Sequence, residues 1–377
     1  MKIGDNIKHP LLEAVSTLPS KHLEEIRGQG GAVVGFYCSY VPRELLDVPG
    51  LAPYRMRAGH TTATDQADAY LSFLNCSYTR CVLETILSDE LDFIDGHVFT
   101  ASCDHLRRLY DNLRYLKNPR LCHILDLPHK THEDALDWFE CELDILKNDL
   151  ERSFKIKISD EDLKESIHRT NEMRKIVGRI QELRKGPNPP VSGRDMVRIM
   201  TAINSVPAYV AVKALEEIYS ELTEREGIEK FRARLLVMGS HMDDAEYIGA
   251  IEEMGGLVVA ETFCVGAVQF CDVVDETKPP LRALAERYLG KLSCPRMMEA
   301  YPQRYARVKE TAQAYAADGI VIETMKFCDT WGVDAPVFMG DLRNDGFGVL
   351  RLEREYTRGG IGQLRTRIQA FMEMLGK

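Results

Sequence analysis

The chain has 377 residues, 45% of them hydrophobic and 28% charged, with a formal net charge of −10. That length and balance suit two domains with separate cores and argue against a long disordered tail. The acidic excess leaves no surplus of cations to neutralise phosphates, which excludes nonspecific nucleic-acid binding as an expectation, while a local basic pocket for a small phosphorylated molecule stays open.

No apolar run reaches the roughly 18 residues of a membrane span, and Met1–Ser20 lacks the apolar centre of a signal peptide. The ten cysteines are therefore expected to stay reduced in the cytoplasm. There, such usage points to metal or redox chemistry rather than disulfides.

After an N-terminal helical lead-in, Gly30–Pro42 reads as a buried strand entered through glycines and ended by proline. A short helix over Arg43–Val48, a strand over Leu51–Arg57 and a loop over Gly59–Thr64 follow. Asp65–Leu87 has helical spacing and contains Cys76 and Cys81. A strand at Phe93–Ala101, a helix at His105–Leu116, a strand at Arg120–Leu127 and a long helix at Glu133–Phe154 complete a β-α-β-α series. From Ser159 to about Glu226 the strand signal vanishes, and helices run to a break at Gly186–Pro190 and again beyond it. Alternation returns with strands at Arg232–Ser240, at Gly256–Gly266 and over Asp318–Asp329, then at Val349–Tyr356. Between and after them lie helices at Asp243–Met254, Pro280–Leu292, Tyr301–Ala317 and about Gln363–Leu375. The expected fold is α/β: two doubly wound, parallel-sheet, Rossmann-like domains at 1–155 and 231–377, joined by a helical connector at 156–230.

Two stretches echo each other, LDFIDGHVFTASCD at Leu91–Asp104 and DGIVIETMKFCD at Asp318–Asp329. Each runs from Asp-Gly through a buried strand to Cys-Asp, placing Cys103 and Cys328 just past the carboxyl ends of strands, where open α/β sheets bind ligands. A single buried cysteine at such a place is often only a small hydrophobe. Two of them, followed by the same Asp, point to a metal or cluster site shared by facing domains, and the echo suggests an old duplication. The spacings give no further help. No CxxC is present, Cys76 and Cys81 are five apart, and Cys264 and Cys271 seven, so neither a zinc ribbon nor a bacterial ferredoxin run fits. Motifs of the GxGxxG, P-loop, HExxH and GxSxG types are missing as well. Gly359–Gly362 precedes a helix and reads as an entry loop, and His129 and His132 as capping residues at a loop-to-helix junction. Cys38 and Ser39, near the end of the first strand, offer a thiol and a hydroxyl that caps backbone or meets a ligand.

The set YCSYVPREL, NCSYTR, FIDGHVFTASCDHLRRLYDN, AETFCVG, ADGIVIETMKFCD and TRIQAFMEML resembles, in order and over nearly the whole chain, the (R)-2-hydroxyacyl-CoA dehydratase and benzoyl-CoA reductase family. The resemblance implies one of two homologous subunits, a [4Fe–4S] cluster on Cys76, Cys103 and Cys328, and a separate ATP-dependent iron–sulfur activator as electron donor. It makes Cys81 and Cys264 reserve ligands. It implies an acyl-CoA substrate, reduced by one electron at the thioester carbonyl to a ketyl radical. A dehydratase would then expel the 2-hydroxyl to give an enoyl-CoA, and a reductase would give a cyclic dienoyl-CoA. Ser39 matches the serine beside the substrate hydroxyl in the dehydratases. The sequence departs from that pattern at Arg55–Gly59, where no carboxylate stands for the expected acidic partner, leaving open an electron-relay subunit or a reductase-type relative; a metal-bearing structural subunit is the competing class. Arg107 and Arg108, beyond Cys103, are candidates for phosphate or partner contact.

Overall fold

The computed structural model describes residues 6–14, 19–59, 61–357, 359 and 361–377. Parts of the N-terminal lead-in, the loop at Gly59–Thr64 and the Gly359–Gly362 turn lie outside the described residues. Helices α1 (Pro10–Ala14) and α2 (Lys21–Gly28) precede β1 (Ala32–Phe36), and a 3-10 turn at Arg43–Leu46 leads to β2 (Leu51–Arg55). Next come α3 (Ser77–Leu87), β3 (Gly96–Thr100), α4 (Asp104–Leu116), β4 (Leu121–Leu125) and α5 (Glu133–Phe154). The middle of the chain is α6 (Asp160–Leu183), α7 (Gly193–Ile203) and α8 (Ala208–Glu224). The last part holds β5 (Ala233–Gly239), α9 (Ala245–Glu253), β6 (Gly256–Glu261), α10 (Pro280–Leu289) and α11 (Tyr301–Ala314). It ends with β7 (Gly319–Met325), α12 (Asp329–Asn344), β8 (Gly348–Arg354) and α13 (Ile361–Met374).

The strands form two parallel four-stranded sheets, ordered β2-β1-β3-β4 and β6-β5-β7-β8. The fold is thus α/β with two sheets of one topology, as expected. Strands β1, β2, β3, β5, β6 and β7 are buried at every position, which is why they read as continuous apolar runs. Only β4 and β8, each at the end of its sheet, leave some positions partly exposed.

The Asp-Gly pairs have a shared structural reason. Asp95 donates its backbone N–H to the Val33 carbonyl at 2.8 Å, and its carboxylate accepts the Val33 N–H at 2.8 Å. Asp318 does the same with Arg234, at 2.8 and 2.8 Å. Each clamp staples the third strand of its sheet to the first. A Cβ on Gly96 would come within 2.8 Å of the Phe154 ring, and one on Gly319 within 2.9 Å of the Phe371 ring, so the missing side chain is what lets α5 or α13 close over the strand.

Helix α6 begins with a complete capping box, Ser159 with Asp162, at the start that the sequence indicates. It reaches both sheets through buried ion pairs. Arg174 meets Glu44 at 2.6 Å and Arg184, just past the helix end, meets Glu261 at 2.6 Å, all four side chains being at most 1% exposed. Packing also crosses in sequence, because α10 lies on α5 and its Ala283, Leu284 and Leu289 join the core of the first sheet.

Two elements depart from the expected pattern. The helix expected over Asp65–Leu87 forms only as a 3-10 turn at Ala67–Ala69 and as α3, with an irregular segment between. Helix α12 was not legible, because Gly332, Pro336 and Gly340 interrupt its pattern although its Trp331, Ala335, Phe338 and Leu342 are buried.

Candidate active site at converging strand ends

In each sheet the strand order reverses between the first and third strands, β1/β3 and β5/β7, and a crevice opens there at the carboxyl ends. The two crevices face each other across one cavity of about 130 Å³. Tyr37–Tyr40 leave β1 to line it, Ser102 and Cys103 leave β3, Ser240 and His241 leave β5, and Met325 and Cys328 leave β7. Six of the ten cysteines reach this lining, Cys38, Cys76, Cys103, Cys264, Cys294 and Cys328, and no carboxylate does. Gly239 enables the approach: its φ is +140°, and a Cβ there would lie 1.7 Å from the Glu323 carbonyl oxygen.

Cys76, Cys103 and Cys328 share a position: each is the residue immediately preceding a helix, α3, α4 or α12. Cys76 is therefore a cap residue and not a thiol inside a helix. Three helix amino termini, each with its partial positive charge, are aimed at one cavity, an arrangement that favours bound negative charge. Burial pushes all three thiols upward, Cys328 to about 12, and the neighbouring thiols raise Cys103 and Cys328 further. Among the described residues no three His, Cys, Asp or Glu side chains are close enough to hold a single metal ion.

His105, which the sequence did not single out, ties the three cysteine loops together. Its Nδ1 accepts the Cys76 backbone N–H at 3.4 Å, and its Nε2 lies 2.7 Å from the Phe327 carbonyl oxygen and 3.1 Å from Asp329. The tautomer with the proton on Nε2 satisfies the first two contacts together. Phe327 has φ +63°, a left-handed conformation that costs a non-glycine residue roughly 1–2 kcal/mol. The bond from His105 helps to hold it there.

The wall opposite the three cysteines is polar. His241 Nδ1 lies 3.8 Å from Cys264 Sγ, its Nε2 lies 3.3 Å from Asp243, and Tyr356 donates to Asp243 at 2.7 Å. Burial alone would raise the Cys264 thiol, but the hydrogen bond and charge of His241, with Arg55 and Lys291 behind, bring it down to about 6. Burial pulls His241 down, while Asp243 and Cys264 lift it to about 9. Ser39 lines the same cavity, and its hydroxyl donates to the Cys264 carbonyl at 2.7 Å.

The signature of the family described as "2-hydroxyglutaryl-CoA dehydratase, D-component" matches residues 38–375. The chain belongs to that family. It is 25% identical over 369 residues, 93% of each chain, to YjiM of Escherichia coli (strain K12), provisionally named a dehydratase subunit. Identity is 23% over 356 residues, 94% of each chain, with the (R)-phenyllactyl-CoA dehydratase beta subunit of Clostridium sporogenes. It is 24% over 311 residues, 81% of each chain, with a benzoyl-CoA reductase subunit of Thauera aromatica. Relatives of this chain thus include subunits named for both reactions.

Of the remaining sequence candidates, Cys264 lines the cavity and Cys81, Arg107, Arg108, His129 and His132 do not. Cys81 is buried within α3 and absent from the lining, whereas Cys264 lines it in contact with His241. Arg107 and Arg108 are exposed, and Arg108 pairs with Asp111 on its own helix. His129 Nδ1 bonds the Arg296 carbonyl oxygen at 2.9 Å, and His132 takes the cap position of α5 without a side-chain capping bond. A larger groove of about 640 Å³ adjoins the cavity and shares Lys291, Ser293 and Trp331 with it. Among the described residues no helix is long and apolar enough to cross a membrane.

Proposed function

We propose that the chain is one subunit of an oxygen-sensitive iron–sulfur enzyme that reduces an acyl-CoA thioester by one electron, either as a 2-hydroxyacyl-CoA dehydratase or as an aromatic-ring reductase. Cys76, Cys103 and Cys328 are its three ligands to a [4Fe–4S] cluster. The observation that carries this reading is the convergence of these three cap cysteines on one carboxylate-free cavity in a chain of the dehydratase D-component family. The donor set fits such a group in its chemistry, because soft thiol ligands suit iron–sulfur and three of them line one cavity. When bound, the cluster supplies one electron at a time and an iron position that the chain leaves open.

The chain's own residues do the rest. Tyr37, Tyr40, Leu106 and Trp331 give the cavity its apolar walls, which exclude water and strengthen electrostatic contacts inside. Ser39 can turn its hydroxyl from the Cys264 carbonyl towards a substrate oxygen. The His241–Cys264 pair holds one proton at the cavity wall, shared between Nδ1 and Sγ. The adjoining groove provides a route for the CoA arm. The relatives named as subunits support a partner subunit, and we propose further that this partner is homologous and that an ATP-dependent iron–sulfur activator is the electron donor. Ten free cysteines are in keeping with a cytoplasmic location, and the division at residues 155 and 230 remains our proposed domain plan.

A second reading, an electron-relay or metal-bearing structural subunit, draws on the lack of a carboxylate from Arg55 to Gly59. The test is anaerobic purification with iron and sulfide analysis and EPR after reduction. About four irons and four sulfides per chain, and an EPR signal altered by added acyl-CoA, are expected. A full cluster indifferent to acyl-CoA favours the relay reading. No iron, or one zinc, removes the functional proposal.

A further inference from the structure

Next to the cysteine cavity, behind Ser39 and Cys264, lies a chamber of about 40 Å³ whose lining contains five cationic side chains and no carboxylate. The five are Arg43, Arg55, Arg174, Arg287 and Lys291. Two of them are compensated: Arg174 by Glu44 at 2.6 Å and Arg43 by Asp47 at 3.3 Å. Those carboxylates are already engaged, Glu44 also by the Tyr288 hydroxyl and Asp47 also by the Ala208 N–H.

The other three lack a counter-ion among the described residues. Arg55 is 6% exposed, its Nε has no hydrogen-bond partner, and its guanidinium lies 5.5 Å from the centre of the Phe36 ring. Arg287 gives Nε to the Asp272 carbonyl oxygen at 3.1 Å, and Lys291 has only the Cys264 carbonyl oxygen at 3.4 Å. Arg55 is buried and Arg287 and Lys291 are half-buried; holding unpaired like charges this close and partly out of water is costly, so a negative group that completes the cluster stabilises it. The Cys264 thiolate offsets part of the charge, but it also serves His241. The like charges press on each other accordingly: Lys291 is brought down to about 7 by burial and then by Arg287, and Arg287 to about 10 by burial and then by Arg174.

We propose that this chamber is an anion site that takes a carboxylate, with Arg55 and Lys291 as its anchors. Its volume exceeds the roughly 10–15 Å³ that one water requires and admits a carboxylate, but not a nucleotide. A planar guanidinium with free donors matches the two carboxylate oxygens, and the ammonium adds a point charge. Arg55 and Lys291 also line the cysteine cavity, so a carboxylate seated here belongs to a molecule that reaches the cysteines. That carboxylate is carried either by the acyl chain of the thioester or by a free small acid. The first source rests on the function proposed above and the second does not.

The experiment uses the anaerobically purified full chain with acetate as probe and chloride as the ionic-strength control, followed by calorimetry and thermal melting. Wild type should bind one acetate and melt higher with it, and Arg55→Gln and Lys291→Gln should each bind at least tenfold more weakly. Without acetate, Lys291→Gln should melt no lower than wild type, because it removes an unpaired charge. This variant carries the test if Arg55→Gln does not fold. Equal acetate affinity in all folded variants, or no binding by wild type, overturns the site. Glutaryl-CoA is then compared with pentanoyl-CoA, which has the same chain length without the carboxylate. A tenfold preference for glutaryl-CoA that disappears in the variants supports the site with the acyl chain as source. Acetate binding with no such preference supports it with a free acid as source. Acetate binding with no affinity for either thioester leaves the site standing and counts against the thioester function instead.

Discussion

The carboxyl ends of β3 and β7 are the most informative pair of places in the molecule, because they start alike and finish differently. Both strands open on an Asp-Gly clamp with the same two 2.8 Å bonds and the same aromatic ring over the glycine. Both close on a cysteine that precedes a helix with Asp as its first residue. Yet Asp95 and Asp104 are nine positions apart and Asp318 and Asp329 eleven. The longer turn carries Phe327 in its left-handed conformation, and His105 of the other half reaches across to hold it. The surroundings diverge as well. Around β3 the packing is aromatic, with Tyr37 stacked on Phe99 at 3.8 Å, whereas β7 carries Glu323, buried against Arg354 at 2.7 Å. One topology has been filled in twice: one half supplies two of the three cap cysteines, and the other supplies the third together with the ionic wall.

The strongest way to break this comparison is at the cysteines. Cys103→Ala and Cys328→Ala should each lose most of the bound iron, since they come from different sheets and neither can be replaced locally. Near-normal iron in both would refute the ligand assignment. The connector comes next. Arg174→Met and Arg184→Met each strand a buried glutamate, and each should cost about 3–5 kcal/mol of unfolding free energy in denaturant titration. A loss of under one kcal/mol in either would show that α6 is not anchored to that half.

The clamps should give smaller and matched effects. Asp95→Ala and Asp318→Ala should each lose about 1–3 kcal/mol by the same titration, and a large disparity would end the structural equivalence of the two Asp-Gly sites. His105→Ala should raise hydrogen exchange at Cys76–Tyr78 and Phe327–Asp329 by about 1–2 kcal/mol of local opening free energy. Thr330, two residues past Cys328 as His105 is past Cys103, has as its side-chain hydrogen-bond partner among the described residues the Cys328 sulfur at 3.6 Å, so Thr330→Ala should leave these amides nearly unchanged.

The smallest effect concerns the ionic wall. Cys264 titrates at about 6, below an ordinary thiol, so its thiolate contributes stability above the ordinary thiol range that is lost as pH falls through 6. His241 titrates at about 9, above an ordinary histidine, so its contribution is complete below about pH 6.5 and is lost as pH rises through 9. The pair is charged together between those limits. Thiolate absorbance should show a step near pH 6 that disappears in Cys264→Ser and moves up by about one unit or more in His241→Gln. An unmoved step in His241→Gln would uncouple the two residues.

The α/β class, the order of the strands and the position of Cys103 and Cys328 just past strand ends were legible because they are local: a strand buried on both faces must be continuously apolar, and an echo in sequence needs no coordinates. The start of α6 was legible for the same reason, since a capping box lies within four residues. The status of Cys76 was not, because the segment before α3 has helical composition and only its packing denies it a helix. Nor were the roles of His105, His241 and Arg55, single residues without a spacing pattern whose partners lie far along the chain, as His105 and Phe327 do at 222 positions. The sequence by itself determined the two sheets and the residues at their strand ends. Only the tertiary structure decided that those ends meet over one cavity, with the three cap cysteines on one wall and unpaired cations behind the other, because side chains this far apart in sequence become neighbours only when both sheets dock on α6.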